Sequence, residues 1–383
     1  MSKKNIIEED KFNLKRIHTS YSVNIKCSEG FIKSFAPGVK EVDKKLIKKN
    51  KDIYSGINDI LKSFQDEIIK DNKDKKVKIF KIPKKEIIDK LISIVNPLIK
   101  IRYLPLLFKS FFIMLISYLD FLFSDLIHCY YQNYPEGLPK DKSITLKELK
   151  MVNDINEAIE IVIGKEVDNF LRDSFNNKIK YLRDLGININ EDYFPKDIIN
   201  EAVARRNLIV HNNSIVNKFY LESLPKNSYW LKIFSEGDKI EIDEKYYSII
   251  SDNLFLAGII LIQSCLRKWK RDCIEEADKL LIYDIYEMLL KEKYDIAEKF
   301  GLYSKTIETY DRRGRLYLNI NYCQALKWQN KTSELEEELK NKDFDISSSR
   351  PKYVVAISAL KDDKDTFYKH LKNAIEVDEM AII

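Results

Sequence analysis

The chain has 383 residues, of which 45% are hydrophobic, enough for two or three domains with packed cores. Ten glycines and nine prolines are few for this length, which argues against β-sandwiches and barrels with their many tight turns and predicts an all-α protein. The 65 basic and 60 acidic side chains give a formal net charge of +5, which permits nucleic-acid binding without indicating it.

The cysteines and the N-terminus bear on metal binding and on the compartment. The five cysteines show no CxxC or Cys/His ligand spacing, so we expect no disulfide framework, no metal site and no cofactor. The opening MSKKNIIEEDKFNLKR is polar and lacks the apolar core of a signal peptide. These features predict a cytoplasmic protein.

Residues 1–95 are predicted to form an N-terminal helical region. Apolar residues recur at helical spacing from about Lys44 to Lys70, which predicts an amphipathic helix. KVKIFKI at 76–82 predicts a short strand, and the EIIDKLISIV that follows predicts another helix. His18 falls in a stretch that we expect to be irregular, and no motif surrounds it.

The segment from Leu104 to Ile127 is apolar enough to suggest a membrane span. Lys109, Asp120 and Asp125 interrupt it, and each charge near a bilayer centre costs about 2.5–3.5 kcal/mol. We therefore predict a buried helix and no membrane partner.

Residues 96–272 are predicted to form one helical bundle. Helices are expected at 104–132, 145–163, 165–185, 195–213 and 243–271, with breaks at Pro135, Pro139, Gly186 and Pro225. Between the last two helices, SYWLKIFSEGDKIEIDEKYY predicts a small hairpin around Gly237.

Residues 275–383 contain an internal repeat. ALKWQNKTSELEEELKN begins at Ala325 and ALKDDKDTFYKHLKN begins at Ala359, 34 positions later. That spacing is typical of tetratricopeptide (TPR) helix pairs. The sequence therefore predicts a TPR-like helical solenoid, which would offer a surface for a protein or ligand trigger.

The stretch EAVARRNLIVHNNSIV at 201–216 brings a basic group and an imidazole together. His211 can accept and release a proton near neutral pH, and Arg206 offers a planar set of donors that matches a phosphate. Together they can cleave RNA without a metal, because the imidazole drives the ribose 2′-hydroxyl onto phosphorus while arginine stabilises the developing charge.

Other interpretations of these residues stay open. Arg205 is expected to pair with Glu201 at i, i+4, the two asparagines after His211 are typical of a helix end, and a single histidine is usually structural. Arg206 and His211 lie about 140° apart around a helix, whereas Asn207 and His211 share a face. A two-fold pairing of two such helices would line one cleft with both residue types.

RRNLIVHNNSIVNKFY resembles the R-x4-6-H signature of the HEPN superfamily, in which arginine, a polar residue, three mostly apolar residues and histidine follow one another. SFFIMLISYLDFLFSDLI is similar to the opening helix of the larger bacterial members, and the resemblance covers roughly residues 104–271. It implies an all-helical bundle acting as a metal-independent endoribonuclease, usually a homodimer with its motifs at the interface. Arg206 and His211 carry over directly, and Asn207 takes the polar position.

Many proteins of this superfamily are toxins or antiviral effectors that cut RNA, so the resemblance implies such a role here. The alternative is a non-catalytic HEPN and TPR-like module that binds RNA, a nucleotide or a partner protein.

Two further groups of residues are candidates for this site. Ser117, Asp120, Ser124 and His128 form one polar stripe on an apolar helix, and Asp120 has either a catalytic role or the structural role of bonding to neighbouring helices. Tyr130, Tyr131 and Tyr134 either stack on bases or pack against each other. His370 has no motif around it.

Overall fold

Helices make up the secondary structure of the residues that the structure describes. A computed structural model describes residues 13–71, 102–140, 143–340, 344 and 350–376, and these contain no β-strand. The predicted all-α class is therefore confirmed. The strand predicted at 76–82 and the helix after it lie outside the described residues.

The first nine helices cover the N-terminal and central parts of the chain. They are α1 (Leu14–Asp71), α2 (Tyr103–Asn133), α3 (Leu146–Leu149), α4 (Ile155–Arg172), α5 (Phe175–Asp184), α6 (Lys196–His211), α7 (Lys218–Ser223), α8 (Trp230–Ile233) and α9 (Glu244–Trp269).

Six helices follow in the C-terminal part. They are α10 (Ile274–Leu290), α11 (Tyr294–Lys305), α12 (Arg312–Trp328), α13 (Thr332–Glu338), α14 (Pro351–Leu360) and α15 (Lys364–Glu376). Two 3₁₀ turns, at Pro135–Gly137 and Arg271–Cys273, complete the described elements.

By its internal contacts the chain divides into two units. One comprises residues 26–114 and 241–247, and the other comprises residues 1–25, 115–240 and 248–383. In the smaller unit the Asp43 carboxylate accepts hydrogen bonds from the amides of Tyr103 (2.8 Å) and Leu104 (2.9 Å). Asp43 thus caps the start of α2, whose first amides have no partner within the helix. The predicted boundaries near residues 95 and 275 stay predictions.

The larger unit begins with the first turns of α1 packed on α9. Tyr21 is buried and donates a hydrogen bond to the carbonyl of Leu254 at 2.7 Å. Its ring lies against Gly258, where any Cβ would collide with it. A glycine is therefore required at this point of α9 for the two helices to approach so closely.

Three predicted details of the central region were wrong. The helix predicted at 145–163 is interrupted between α3 and α4, where the Asp154 carboxylate caps α4. Gly164 lies inside α4, and the break comes at Ser174, whose hydroxyl caps α5 by accepting from the Asn177 amide. No hairpin forms around Gly237. Instead Ile215, just after α6, makes an isolated antiparallel bridge with Lys239. Residues 237–240 therefore pair with the segment that follows His211.

The C-terminal helices are arranged as three consecutive pairs, α10 with α11, α12 with α13 and α14 with α15. Each pair turns through a residue with a left-handed backbone, Glu292 (φ 58°), Asn330 (φ 58°) and Asp362 (φ 56°). These turns are 38 and 32 positions apart in sequence. The helix pairs thus occur without a constant 34-residue period, and the TPR-like solenoid stays a prediction.

Two described helices are long and apolar enough to cross a membrane, α2 and α9. In the most apolar 18-residue stretch of each helix, 83% is buried within the protein in α9 and 39% in α2. Burial explains the composition of α9. The helix that we predicted to be buried, α2, is only partly so, and Phe121 on it is 60% exposed.

Candidate functional site

The candidate site is built on the last two turns of α6. The helix ends at His211, and the amides of Asn212 and Ser214 both bond to the carbonyl of Leu208. Asn213 (φ 49°) and Ser214 (φ 64°) have left-handed backbones, which asparagine tolerates better than serine does. The prediction that the asparagines end the helix is confirmed.

Arg205 belongs to the interior. Its Nε donates to the Glu201 carboxylate at 2.7 Å, and the two side chains are 3% and 1% exposed. The Tyr220 hydroxyl donates to the same carboxylate oxygen at 2.6 Å, and the Arg205 guanidinium lies 4.6 Å from the Trp230 ring centre. The predicted pairing with Glu201 is confirmed, and it fixes α6 against α7 and α8.

Arg206 points to a different set of neighbours. Its Nη2 donates to Oδ2 of Asp120 on α2 at 3.1 Å, while Nζ of Lys178 on α5 donates to Oδ1 at 2.9 Å. Arg206, Asp120 and Lys178 are 26%, 31% and 7% exposed. One partly exposed carboxylate is thus shared by two cations, which gives this cluster a net positive charge at the surface.

His211 and Asn207 occupy another face of α6. Both are exposed, and no hydrogen bond or ion pair joins either side chain to another described residue. The structure therefore brings Arg206 together with Asp120 and does not join Arg206 to His211 within one chain. The offset of about 140° expected for positions five apart on a helix accounts for this separation.

The remaining predicted candidates have structural partners. His128 Nε2 lies 2.7 Å from Glu160 Oε2 on α4. Tyr130 packs against Tyr131, Tyr134 and Trp269, with ring centres 4.9–5.3 Å apart. This is the packing interpretation of the tyrosine cluster.

The position expected for His18 was wrong. The residue lies within α1 and is 5% exposed, and its Nε2 lies 2.7 Å from Oδ2 of Asp284 on α10. A histidine and an aspartate thus meet in the interior of the larger unit. Their separation by 266 positions left no local signal for this contact.

Lys178 was missed by sequence reasoning. It lies on the buried face of α5, in helical register with Phe175, Ile179 and Leu182. A lysine at a core position of an amphipathic helix needs a carboxylate partner or a route to solvent. That mismatch was the available signal, although it did not identify Asp120 as the partner.

Comparisons with protein-family models, with curated proteins and with solved structures gave no match. Among the described residues, no group of three or more His, Cys, Asp and Glu side chains is placed to hold a metal ion.

Proposed function

We propose that this protein is a metal-independent endoribonuclease of the HEPN type, acting in the cytoplasm as a toxin or antiviral effector. The resemblance of 205–220 to the HEPN signature is the basis of the proposal. The observation that supports it most is that His211 ends α6 as an exposed imidazole, five positions from a half-buried cationic cluster.

The proposed reaction uses the RNA chain itself as nucleophile. The 2′-oxygen attacks the adjacent phosphorus and gives its proton to His211, the bond from phosphorus to the 5′-oxygen breaks, and that oxygen takes a proton from a second imidazole. The products are a 2′,3′-cyclic phosphate and a 5′-hydroxyl. Arg206 stabilises the charge that develops on the phosphate oxygens, and Asn207, on the face of His211, donates to the same group.

A second copy of the chain would supply the second imidazole and bring an arginine opposite His211. Three apolar side chains near His211 are exposed, Val210 by 49%, Ile215 by 41% and Phe219 by 80%. Exposed apolar groups next to a functional residue favour an interface, which supports the proposed homodimer.

One observation favours the alternative, a non-catalytic module that binds RNA, a nucleotide or a partner protein. Arg206 already bonds to Asp120, so a substrate phosphate has to share the guanidinium with a carboxylate. Binding needs only the net positive charge of the cluster, whereas catalysis needs the arginine directed at the phosphate.

The test is RNA cleavage by purified full-length protein in the presence of a metal chelator. We expect His211→Ala and Arg206→Ala each to lower the rate by at least about a hundredfold, in line with loss of a general base or of a charge-stabilising donor. His370→Ala, which changes a histidine on α15, is the matched control and should keep full activity.

Product ends and mass in solution complete the test. Products should carry 2′,3′-cyclic or 3′-phosphate ends, and sedimentation should give a dimer. Full-rate cleavage by a folded His211→Ala protein would rule out the enzymatic proposal, and full-rate cleavage by a monomer would rule out the shared cleft. RNA binding without cleavage would establish the alternative.

A further inference from the structure

A cavity of about 290 Å³ lies between the first turns of α10, α12 and α14. Its walls include Ile282 of α10, Tyr310 and Arg313 beside the start of α12, Tyr317 of α12 and Lys352 of α14. All of these belong to the larger unit. The volume is close to the lower end for small-molecule sites, roughly 300–1,000 Å³.

The carboxylates around this cavity are engaged by protein groups. Asp278 accepts from Arg267 Nη2 and from the amide of Tyr310, both at 2.7 Å. Asp311 accepts from the Gly314 amide at 2.7 Å and from Arg313 Nε at 2.9 Å. These bonds lower the pKa of Asp311, chiefly through the Gly314 amide. The third carboxylate of the lining, Glu275, accepts from Lys279 Nζ at 2.6 Å, one turn along α10. Each carboxylate of the lining thus has a cation or an amide as its partner.

The cationic groups point to an anion. Lys352 Nζ lies 5.4 Å from the ring centre of Tyr317 and 5.3 Å from that of Tyr353, and no carboxylate among the described residues pairs with it. The Arg313 side chain bonds to Asp311 through Nε and is 68% exposed. Arg350 adds a second guanidinium to the lining. Planar guanidinium groups and an ammonium ion match a phosphate group.

Helix geometry adds to the same charge. Both α12 and α14 begin at the cavity, but the Asp311 carboxylate caps α12, so only the start of α14 adds the positive end of its helix dipole. The start of α14 has Pro351 in its first turn and no side-chain cap. The residue before this helix, Arg350, therefore places no negative or polar group on its N-terminal end.

An aromatic surface lies beside these cations. Tyr310 is 63% exposed, while its amide is fixed by the bond to Asp278. An exposed tyrosine ring can stack on a planar heterocycle, an interaction worth roughly 1–3 kcal/mol for a nucleobase. Phosphate recognition and ring stacking are thus available within one small cavity.

From this combination we propose that the cavity binds a mononucleotide, with its phosphate on Arg313 and Lys352 and its base against Tyr310. The inference does not depend on the proposed ribonuclease activity, because the cavity and α6 share no residue. It gives the C-terminal helix pairs a ligand of defined chemistry.

The test is calorimetric titration of the full-length protein with AMP, GMP, CMP and UMP, and with adenosine and inorganic phosphate, up to about 1 mM, the weak end of measurable affinity. We expect at least one monophosphate to bind, at least about tenfold more tightly than adenosine or phosphate alone. Arg313→Ala and Lys352→Gln should each weaken binding about tenfold, the loss typical of a charge-assisted hydrogen bond.

Two control variants separate this site from others. Lys369→Ala removes an exposed lysine on α15 outside the cavity, and Arg206→Ala alters α6. Both should bind the nucleotide normally. No binding by any monophosphate, or unchanged binding by folded Arg313→Ala and Lys352→Gln proteins, would overturn the proposal.

Three further results would also contradict it. Loss of binding in Arg206→Ala alone would place the nucleotide at α6. Equal affinity for inorganic phosphate would remove the role of Tyr310. Binding of a poly-glutamate peptide in place of every nucleotide would assign the cavity to an acidic protein segment.

Discussion

Arg206 Nη2 lies 3.1 Å from Asp120 Oδ2, so a carboxylate from α2 holds the arginine of the proposed catalytic motif. We predict that Asp120→Asn lowers kcat of RNA cleavage about tenfold, because a misplaced guanidinium loses roughly 1.4 kcal/mol of transition-state stabilisation. KM should fall as well, since removing a negative charge favours RNA binding. Steady-state kinetics at fixed salt measures both, and an unchanged kcat would show that Asp120 does not position Arg206.

The neighbouring arginines of α6 should differ in their effects on stability. We predict that Arg205→Ala lowers the free energy of unfolding by about 3–5 kcal/mol, because Glu201 would stay buried without its cation. Arg206→Ala should change it by less than about 1 kcal/mol, as is usual for a partly exposed pair. Urea unfolding followed by circular dichroism compares the two variants. Equal losses would contradict the division of roles.

Long apolar segments with clear breaks were predictable from the sequence. The ends of α2, α6 and α9 fall within two residues of the predicted bounds, because hydrophobic periodicity and the Asn212–Asn213 stop are local signals. The predicted boundary between the two helices fell at residue 164, ten positions before the Ser174 cap that separates α4 from α5. A Cβ at Gly164 would meet no neighbouring atom within 4 Å. This position of α4 therefore accepts a glycine without requiring one.

The contacts of the candidate site were less predictable. The pairing of Arg205 with Glu201 follows from i, i+4 spacing on one helix. The contacts of Asp120 with Lys178 and Arg206 span 58 and 86 positions, so they depend on how three helices pack. Local sequence patterns contain no information on that packing. The contact of His18 with Asp284 was unpredictable for the same reason.

The buried contact between His18 and Asp284 leads to a further prediction. Asp284 is fully buried, and its removal leaves the histidine without this partner. We expect Asp284→Ala to lower the free energy of unfolding by about 3 kcal/mol, a value typical of breaking a buried pair. The double-mutant cycle with His18→Ala should show coupling of about 1 kcal/mol or more. Additive losses would mean that the pair does not stabilise the fold.

The thiols should differ in reactivity with pH. Burial raises the pKa of Cys129 to about 11 and that of Cys323 to about 12, whereas Cys27 is exposed. Because only the thiolate reacts, the two buried thiols should react slowly near neutral pH and faster as the pH rises toward their pKa values. We predict that iodoacetamide labels Cys27 first. Mass spectrometry of peptides measures it, and early labelling of Cys323 would contradict its burial.

Removing residues 275–383 tests whether the C-terminal helices are separable. Asp278 of α10 accepts a bond from Arg267 of α9 at 2.7 Å, and Phe255 of α9 meets Phe300 of α11 edge to face. The deletion would therefore expose the apolar face of α9 and leave Arg267 without its carboxylate.

We predict that this truncated chain is insoluble or lacks a cooperative thermal transition, so that its loss of activity would carry no information on the site at α6. Deleting residues 364–383 is the matched control, because it removes α15 and leaves α9, α10 and α11 in place. That shorter deletion should keep a cooperative transition and full activity at α6. A soluble chain ending at residue 274 with native unfolding behaviour would show that α9 does not depend on α10 and α11.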